Sequence, residues 1–399
     1  MKKTGILLFG ISTLALTGTL FYAAHRLPLQ ESGLQRQEAL GAEQKIQKLP
    51  EQILTQPDEE LRASQQDCYA FLQLSEEEQK VYLEILEALI HFRENVRLSS
   101  CDKELIAHVF QCVLNDHPEI FYVEGYTYTE YTLGTLLKKI TFTGSYSCSP
   151  DEVEKKQEQI DSYVNQCLAG MPENADEYEK VKYIYEYLIL HTDYDALSKD
   201  SQNICSVFLE QRSVCQGYAK ATQYLLNRAG VFSTLVLGRV IGGEGHAWNL
   251  VRIDGAYYYV DTTWGDASYQ AVGGGNYPME KIPTINYDYL CVTTEQMEST
   301  HTLDNVVDMP FCNSMDANFY VREGVYFTAW DEEKIQKVFQ DSYERGDTYV
   351  TLKCAGPDIY QKMQEVLIGQ QGIFRYLDCP DGAVSYAENE KQYSLSFWL

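Results

Sequence analysis

Gly245-His246-Ala247-Trp248-Asn249-Leu250-Val251-Arg252-Ile253-Asp254-Gly255-Ala256-Tyr257-Tyr258-Tyr259-Val260-Asp261-Thr262-Thr263-Trp264 is two β-rich runs joined by Asp-Gly, a dipeptide that signals a two-residue hairpin turn. Taking Asp254 and Gly255 as the loop pairs Ile253 with Ala256 and fixes every partner behind it. Trp248 then falls opposite Asp261, and His246 opposite Thr263. Paired residues share a face, as do strand residues two apart, so His246 and Asp261 project to one side as diagonal neighbours. A carboxylate placed there fixes the imidazole tautomer and stabilises imidazolium, while the second ring nitrogen is presented as a base.

The sulfur that such a base can serve lies upstream, in Ser213-Val214-Cys215-Gln216-Gly217-Tyr218-Ala219-Lys220, a segment that continues at helical spacing through Leu225 and Leu226 to Gly230. Ser213 and Gln216 read as a capping box, with Ser213 as N-cap and Cys215 in the first helical turn. Backbone N–H groups and the positive dipole end there favour a thiolate. An unperturbed thiol is only a few per cent ionised at neutral pH, and each unit of pKa depression, worth about 1.4 kcal/mol, multiplies the nucleophile several-fold. Gly217 permits close approach to that turn. Laying this helix on the hairpin brings Cys215 to the imidazole and yields a Cys215–His246–Asp261 relay. A buried structural cysteine beside a structural His–Asp pair explains each piece alone, but not their coincidence.

Val214-Cys215-Gln216-Gly217-Tyr218-Ala219, His246-Ala247-Trp248-Asn249 and Tyr259-Val260-Asp261-Thr262-Thr263-Trp264, in this order, resemble the transglutaminase-like superfamily, especially bacterial surface proteins with a transglutaminase/protease-like domain. The resemblance extends from about 175 to 301. It implies an α+β, papain-like core in which a helix carrying Cys215 packs on an antiparallel sheet carrying His246 and Asp261. It also implies Cys215 as nucleophile, His246 as general base and acid, and Asp261 as the orienting residue. The Cys215 backbone N–H is a natural oxyanion donor, with Gln211 and Tyr194 as candidates for a second. No cofactor and no metal are called for.

The flanks read as small α+β domains. Residues 65–148 open with the capping box Ser75-Glu76-Glu77-Glu78 and an amphipathic helix, followed by a helix after Asp102 and strand-like runs at 119–132 and 136–146. The central domain, 149–312, starts at Ser149-Pro150-Asp151-Glu152, an N-cap, a proline and an acid in helix-start order, and has a further helix over 176–191. Residues 313–399 read as strand 319–328, helix 332–344, strand 349–354, another helix and a closing strand at 393–399. Gly273-Gly274-Gly275 suits a surface loop beside the cleft rather than a phosphate cradle. His191 and His301 read as structural, and Asp193 and Asp195 as a solvated loop.

Residues 5–24 are uncharged and apolar behind Lys2 and Lys3. At about 1.5 Å per residue this stretch matches the roughly 30 Å bilayer core, so 1–24 reads as an N-terminal membrane anchor with the body outside, or else as a cleaved signal segment. Residues 25–64 suit a solvated spacer. The chain of 399 residues carries 58 acidic against 32 basic side chains, a formal charge of −26, which argues against nucleic acid as a partner. Eleven cysteines without a C-x-x-C pair show no zinc spacing, and in an exported chain permit up to five bridges with one thiol left over. The expected substrate is a protein, a peptide or cell-wall peptide, with the membrane touched only by the N-terminal segment. A non-catalytic surface binding or assembly module on the same fold is the alternative.

Overall fold

The computed structural model describes residues 59–133, 136–198, 200–266, 284–304, 306–378 and 384–399, together with the backbone of 2–7. Strand β1 (Lys2–Leu7) is followed, after the gap, by α1 (Glu59–Ala63), α2 (Tyr69–Gln73), α3 (Glu76–Ile90), β2 (Val96–Arg97) and α4 (Lys103–Asp116). The hairpin β3 (Val123–Leu133) and β4 (Leu136–Tyr146) completes an antiparallel sheet of order β1-β3-β4-β2. Helix α3 starts at the expected capping box: Ser75 N–H donates to Glu78 Oε2 at 2.9 Å, and Glu78 N–H donates back to Ser75 Oγ at 3.4 Å. Phe110 of α4 packs on Tyr126 and Phe142 of the sheet, with ring centroids 4.7 and 6.2 Å away.

The central unit runs α5 (Pro150–Ala169), α6 (Glu177–His191), β5 (Asp193–Tyr194), α7 (Ile204–Phe208), β6 (Arg212–Ser213), α8 (Cys215–Arg228), β7 (Ser233–Val240), β8 (Gly245–Ile253), β9 (Ala256–Val260), α9 (Thr262–Gly265), α10 (Thr294–Glu298) and β10 (His301–Leu303). Its antiparallel sheet has the order β10-β7-β8-β9. Helix α8 lies on it, with Ala219 packed against Leu235 and Ala247. The Asn249 amide donates to the Ala219 carbonyl at 2.9 Å, tying sheet to helix with a buried polar contact that is satisfied. This is the α+β arrangement expected of a cysteine-bearing helix on a histidine-bearing sheet. One buried apolar cluster extends from Tyr69 to Ala317 and joins this unit to the sheet before it.

A second cluster, from Phe327 to Phe397, belongs to the C-terminal unit: α11 (Phe319–Arg322), β11 (Tyr326–Phe327), α12 (Glu332–Arg345), β12 (Tyr349–Cys354), α13 (Pro357–Met363), β13 (Tyr386–Asn389) and β14 (Ser394–Trp398). The strand expected over 319–328 shrinks to Tyr326–Phe327. Asn318 caps a helical turn instead, its Oδ1 accepting from Tyr320 N–H at 3.2 Å, and Gly324 at φ 74° ends it.

Of the proposed anchor, Lys2–Leu7 forms β1, paired with Tyr126–Tyr131 in the first sheet, and 8–24 lies outside the described residues, as do 25–58 of the spacer and the loop at Gly273–Gly275. No described helix is long and apolar enough to cross a membrane. Ten cysteines, all but Cys379, are described and each carries a free thiol, so none of the permitted bridges forms among them.

Candidate active site

Strand β6 ends at Ser213, and Val214, extended at φ −113° and ψ 177°, delivers Cys215 as the first residue of α8. Val214 is the N-cap and offers no side-chain bond. The expected capping box at Ser213 and Gln216 is therefore not formed. The Ser213 hydroxyl is buried and committed elsewhere, 2.7 Å from Ser206 Oγ and 3.3 Å from the Ser201 carbonyl. Gly217 is needed because a Cβ there would meet the Ser201 carbonyl and Ser206 Oγ at 2.8 Å. The first helical turn presses on its own chain, which leaves the half-buried Cys215 thiol at a helix end whose N–H groups have no intrahelical partner.

The hairpin forms in the expected register from Ile253↔Ala256 to Asn249↔Val260. Asp254 at φ 50° and Gly255 at φ 82° make the left-handed turn that the dipeptide announces. Beyond Val260 the pairing stops: Asp261 does not face Trp248 across the ladder, nor Thr263 His246. Asp261 instead caps α9, its Oδ1 accepting from Trp264 N–H at 3.0 Å while its own N–H donates to the Tyr289 carbonyl at 3.0 Å. The contact inferred from the register survives this change, because the cap leaves the second carboxylate oxygen pointing back at the sheet. His246 Nε2 lies 2.7 Å from Asp261 Oδ2.

Both groups are buried, at 6% and 0% exposure. Burial alone would raise the Asp261 pKa, yet the adjoining imidazoles, His246 foremost, hold this carboxyl well below the usual carboxylate range. Burial opposes charge on His246 as well, but Asp261 outweighs it and, with the Cys215 thiol within hydrogen-bonding reach, pushes the imidazole up to about 10. The structure thus brings Cys215, His246 and Asp261 together as sulfur, imidazole and carboxylate in sequence.

His301, read above as structural, belongs to this cluster. It opens β10, pairs with Val240, is 1% exposed, and places Nε2 3.2 Å from the same Asp261 Oδ2. Ligand atoms of His246, Asp261 and His301 gather within 4.8 Å of one another. Two donors on one tetrahedral zinc-sized ion stand roughly 3.4 Å apart, given bonds of about 2.1 Å. The 2.7 Å between His246 and Asp261 is the spacing of a hydrogen bond rather than of two donors on one ion.

The remaining candidates fall further out. Tyr194 lies on β5 and pairs with Ser213, two residues from Cys215, and is half-buried. Gln211 is exposed at φ 56°, and its carbonyl accepts from Asp193 N–H at 2.9 Å. His191 stacks on Tyr187 at 4.1 Å with Nδ1 2.7 Å from that residue's carbonyl, a structural role as expected. Asp195 accepts from Leu197 N–H at 2.9 Å within its loop.

Residues 165–262, a span containing all three of Cys215, His246 and Asp261, match the transglutaminase-like superfamily. Kyphoscoliosis peptidase of Mus musculus is 28% identical over 131 residues, and that of Homo sapiens 29% identical over 134. These alignments take in 29% and 27% of this chain and 20% of each relative, so the chain spans about a fifth of the length of the curated relatives it matches. The crystal structure of a TGase aligns with a TM-score of 0.27 at 16% identity, over 37% of this chain and 48% of that one. Over residues 165–262, therefore, the chain is similar to the transglutaminase-like superfamily.

Proposed function

We propose that this protein is an exported thiol enzyme that forms a thioacyl intermediate on an amide or peptide substrate and passes the acyl group to an amine or to water. One observation carries the reading: a half-buried thiol at a helix N-terminus in hydrogen-bonding reach of an imidazole whose Nε2 is held by a buried carboxylate. Cys215 is the nucleophile, and its thiolate adds to the carbonyl carbon. The resulting oxyanion is met by N–H groups at the start of α8, Cys215's own among them. Collapse breaks the C–N bond, and His246 gives its proton to the departing amine. Water or a second amine then attacks the thioester, yields a proton to His246, and frees the thiol. Asp261 orients His246 and balances its charge throughout. Transglutamination and proteolysis share the first half-reaction and divide only at the acceptor.

The location is part of the same proposal. The apolar 5–24 stretch behind two lysines supports a body held outside the membrane, with envelope proteins or wall peptides as substrates. The test is Cys215→Ala together with trapping of the acyl-enzyme from native envelope material. The wild type is expected to carry an acyl adduct on Cys215, and the variant to lose both adduct and labelling by a mild alkylator without loss of fold. Labelling undiminished in the variant places the reactive thiol elsewhere. Capture of wall fragments that persists in Cys215→Ala with no peptide turnover would instead indicate a binding module.

A further inference from the structure

His301 is used by nothing in the scheme above, yet it is the second imidazole on the orienting carboxylate. Its Nδ1 lies 2.8 Å from Thr300 Oγ1. Ionised Asp261 can only accept, so the ring nitrogen that approaches its Oδ2 carries the proton, and Nδ1 is left to accept from the Thr300 hydroxyl. The ring proton then sits on Nε2, the nitrogen that faces Asp261 Oδ2 at 3.2 Å. The N–H misses the line to that oxygen and has no well-aligned acceptor among the described residues. Even bent, an N–H contact to an ionised oxygen is stronger than one to a neutral acceptor. Aromatic rings enclose the site: Trp264, Trp248 and Tyr289 stand 4.7, 5.0 and 5.9 Å from the His301 ring, and His246 5.2 Å. Among the described residues, the titratable groups facing His301 are Asp261, His246 and Tyr289. Burial drives the Tyr289 phenol upward, so it stays neutral.

We propose that His301 is a positioning residue: through its Nε2–H it gives Asp261 a second donor, which holds Oδ2 aligned on His246. This inference rests on the proposed thiol chemistry for its consequence, but not for its geometry. Without that donor, Asp261 keeps its burial and loses a partner, so it takes up a proton more readily as pH falls. Once protonated it no longer supports imidazolium, and the thiolate beside His246 is lost with it. The acid limb of Cys215 reactivity therefore moves to higher pH.

The experiment compares wild type, His301→Phe and His301→Gln of the full chain. Gln preserves an N–H donor near the position of Nε2, whereas Phe preserves only bulk. Two readouts are taken: the pH profile of Cys215 alkylation by iodoacetamide, followed by peptide mapping, and ring ¹⁵N NMR titration of His246 and His301. The expected result is His301 protonated on Nε2 in the wild type, and an acid limb raised by about one unit or more in His301→Phe. His301→Gln should return it close to the wild-type position. Nδ1 protonation of His301, or coincident profiles for wild type and His301→Phe, overturns the proposal. Equal shifts in Phe and Gln variants also overturn it, since they report lost packing alone. If Cys215 is no more reactive than other thiols, the proposed enzymatic reading fails. The His246 titration then still decides the role of His301: an altered His246 curve in Phe that Gln restores supports it, and an unaltered one overturns it.

Discussion

His246 and Asp261 titrate as one buried unit, and their linkage to folding has a definite sign. The folded imidazole keeps its proton up to about 10, against 6.5 when unperturbed. Its contribution to stability is therefore full below about pH 6.5 and is lost as pH rises toward 10. Over that window the slope reaches at most about 1.4 kcal/mol per pH unit. Asp261, held below the usual range, contributes above the ordinary carboxyl range, and that contribution is lost as pH falls through its folded value. Urea unfolding of wild type and Asp261→Asn between pH 6 and 10 should show the decline in the first and a flatter profile in the second. Parallel curves would mean the pair is not ionised as described. At Cys215 the relevant fact is access: burial pushes the thiols of Cys167, Cys205 and Cys354 up to about 12, so they rest protonated and inert.

At the scale of elements, the hairpin turn and the first turn of α8 set the site. Gly255 sits at φ 82° with open space where a Cβ would go, so Gly255→Ala is strained by backbone conformation alone, at about 1 kcal/mol or more. Gly217→Ala meets the Ser201 carbonyl, a backbone atom that cannot rotate away. We expect it to lower the melting temperature and also to slow Cys215 alkylation, whereas Gly255→Ala should affect mainly the former. Equal alkylation rates would show that the helix start tolerates displacement. The same elements mark what could be read from sequence. Asp254-Gly255 fixed the register because turn chemistry is local. The ladder's end was not legible, since Asp261 reads as a strand residue until Trp264 N–H competes for its side chain. Ser213 and Gln216 satisfy the capping pattern, but tertiary contacts of Ser213 with Ser206 and Ser201 override it. His301 gave no local signal at all: β10 reaches the carboxylate by pairing with β7 on the far side of β8.

Across the whole molecule, the C-terminal unit is fastened close to this site. Lys353 Nζ lies 2.8 Å from Asp288 Oδ1, with both residues buried, and the second oxygen of Asp288 accepts from Asn389 at 3.0 Å and Ser394 at 2.9 Å. Asp288 belongs to the 3₁₀ turn Tyr287–Tyr289, whose Tyr289 carbonyl receives the Asp261 N–H. Lys353→Met strands a buried carboxylate and should cost about 3–5 kcal/mol, while removing both charges in Lys353→Met/Asp288→Leu should recover much of the loss. Chemical denaturation of both variants checks this, and a double variant as unstable as the single one would contradict it. Such a fastening gives a C-terminal unit with its own core a route to the orienting carboxylate.

On the proposed reading Cys215 outpaces the other partly exposed thiols because His246 serves it, whereas burial pushes the Cys68 thiol up despite His117 beside it. The direct measurement is the peptide-resolved rate of carboxamidomethylation at neutral pH for Cys215 beside Cys68, Cys101 and Cys148, which are likewise half-buried and free, in wild type and His246→Ala. Cys215 should react at least about tenfold faster than the others in the wild type, an advantage equivalent to roughly 1.4 kcal/mol, and should lose that lead in His246→Ala. Equal rates at all four cysteines in the wild type, or a lead that survives His246→Ala, would contradict it.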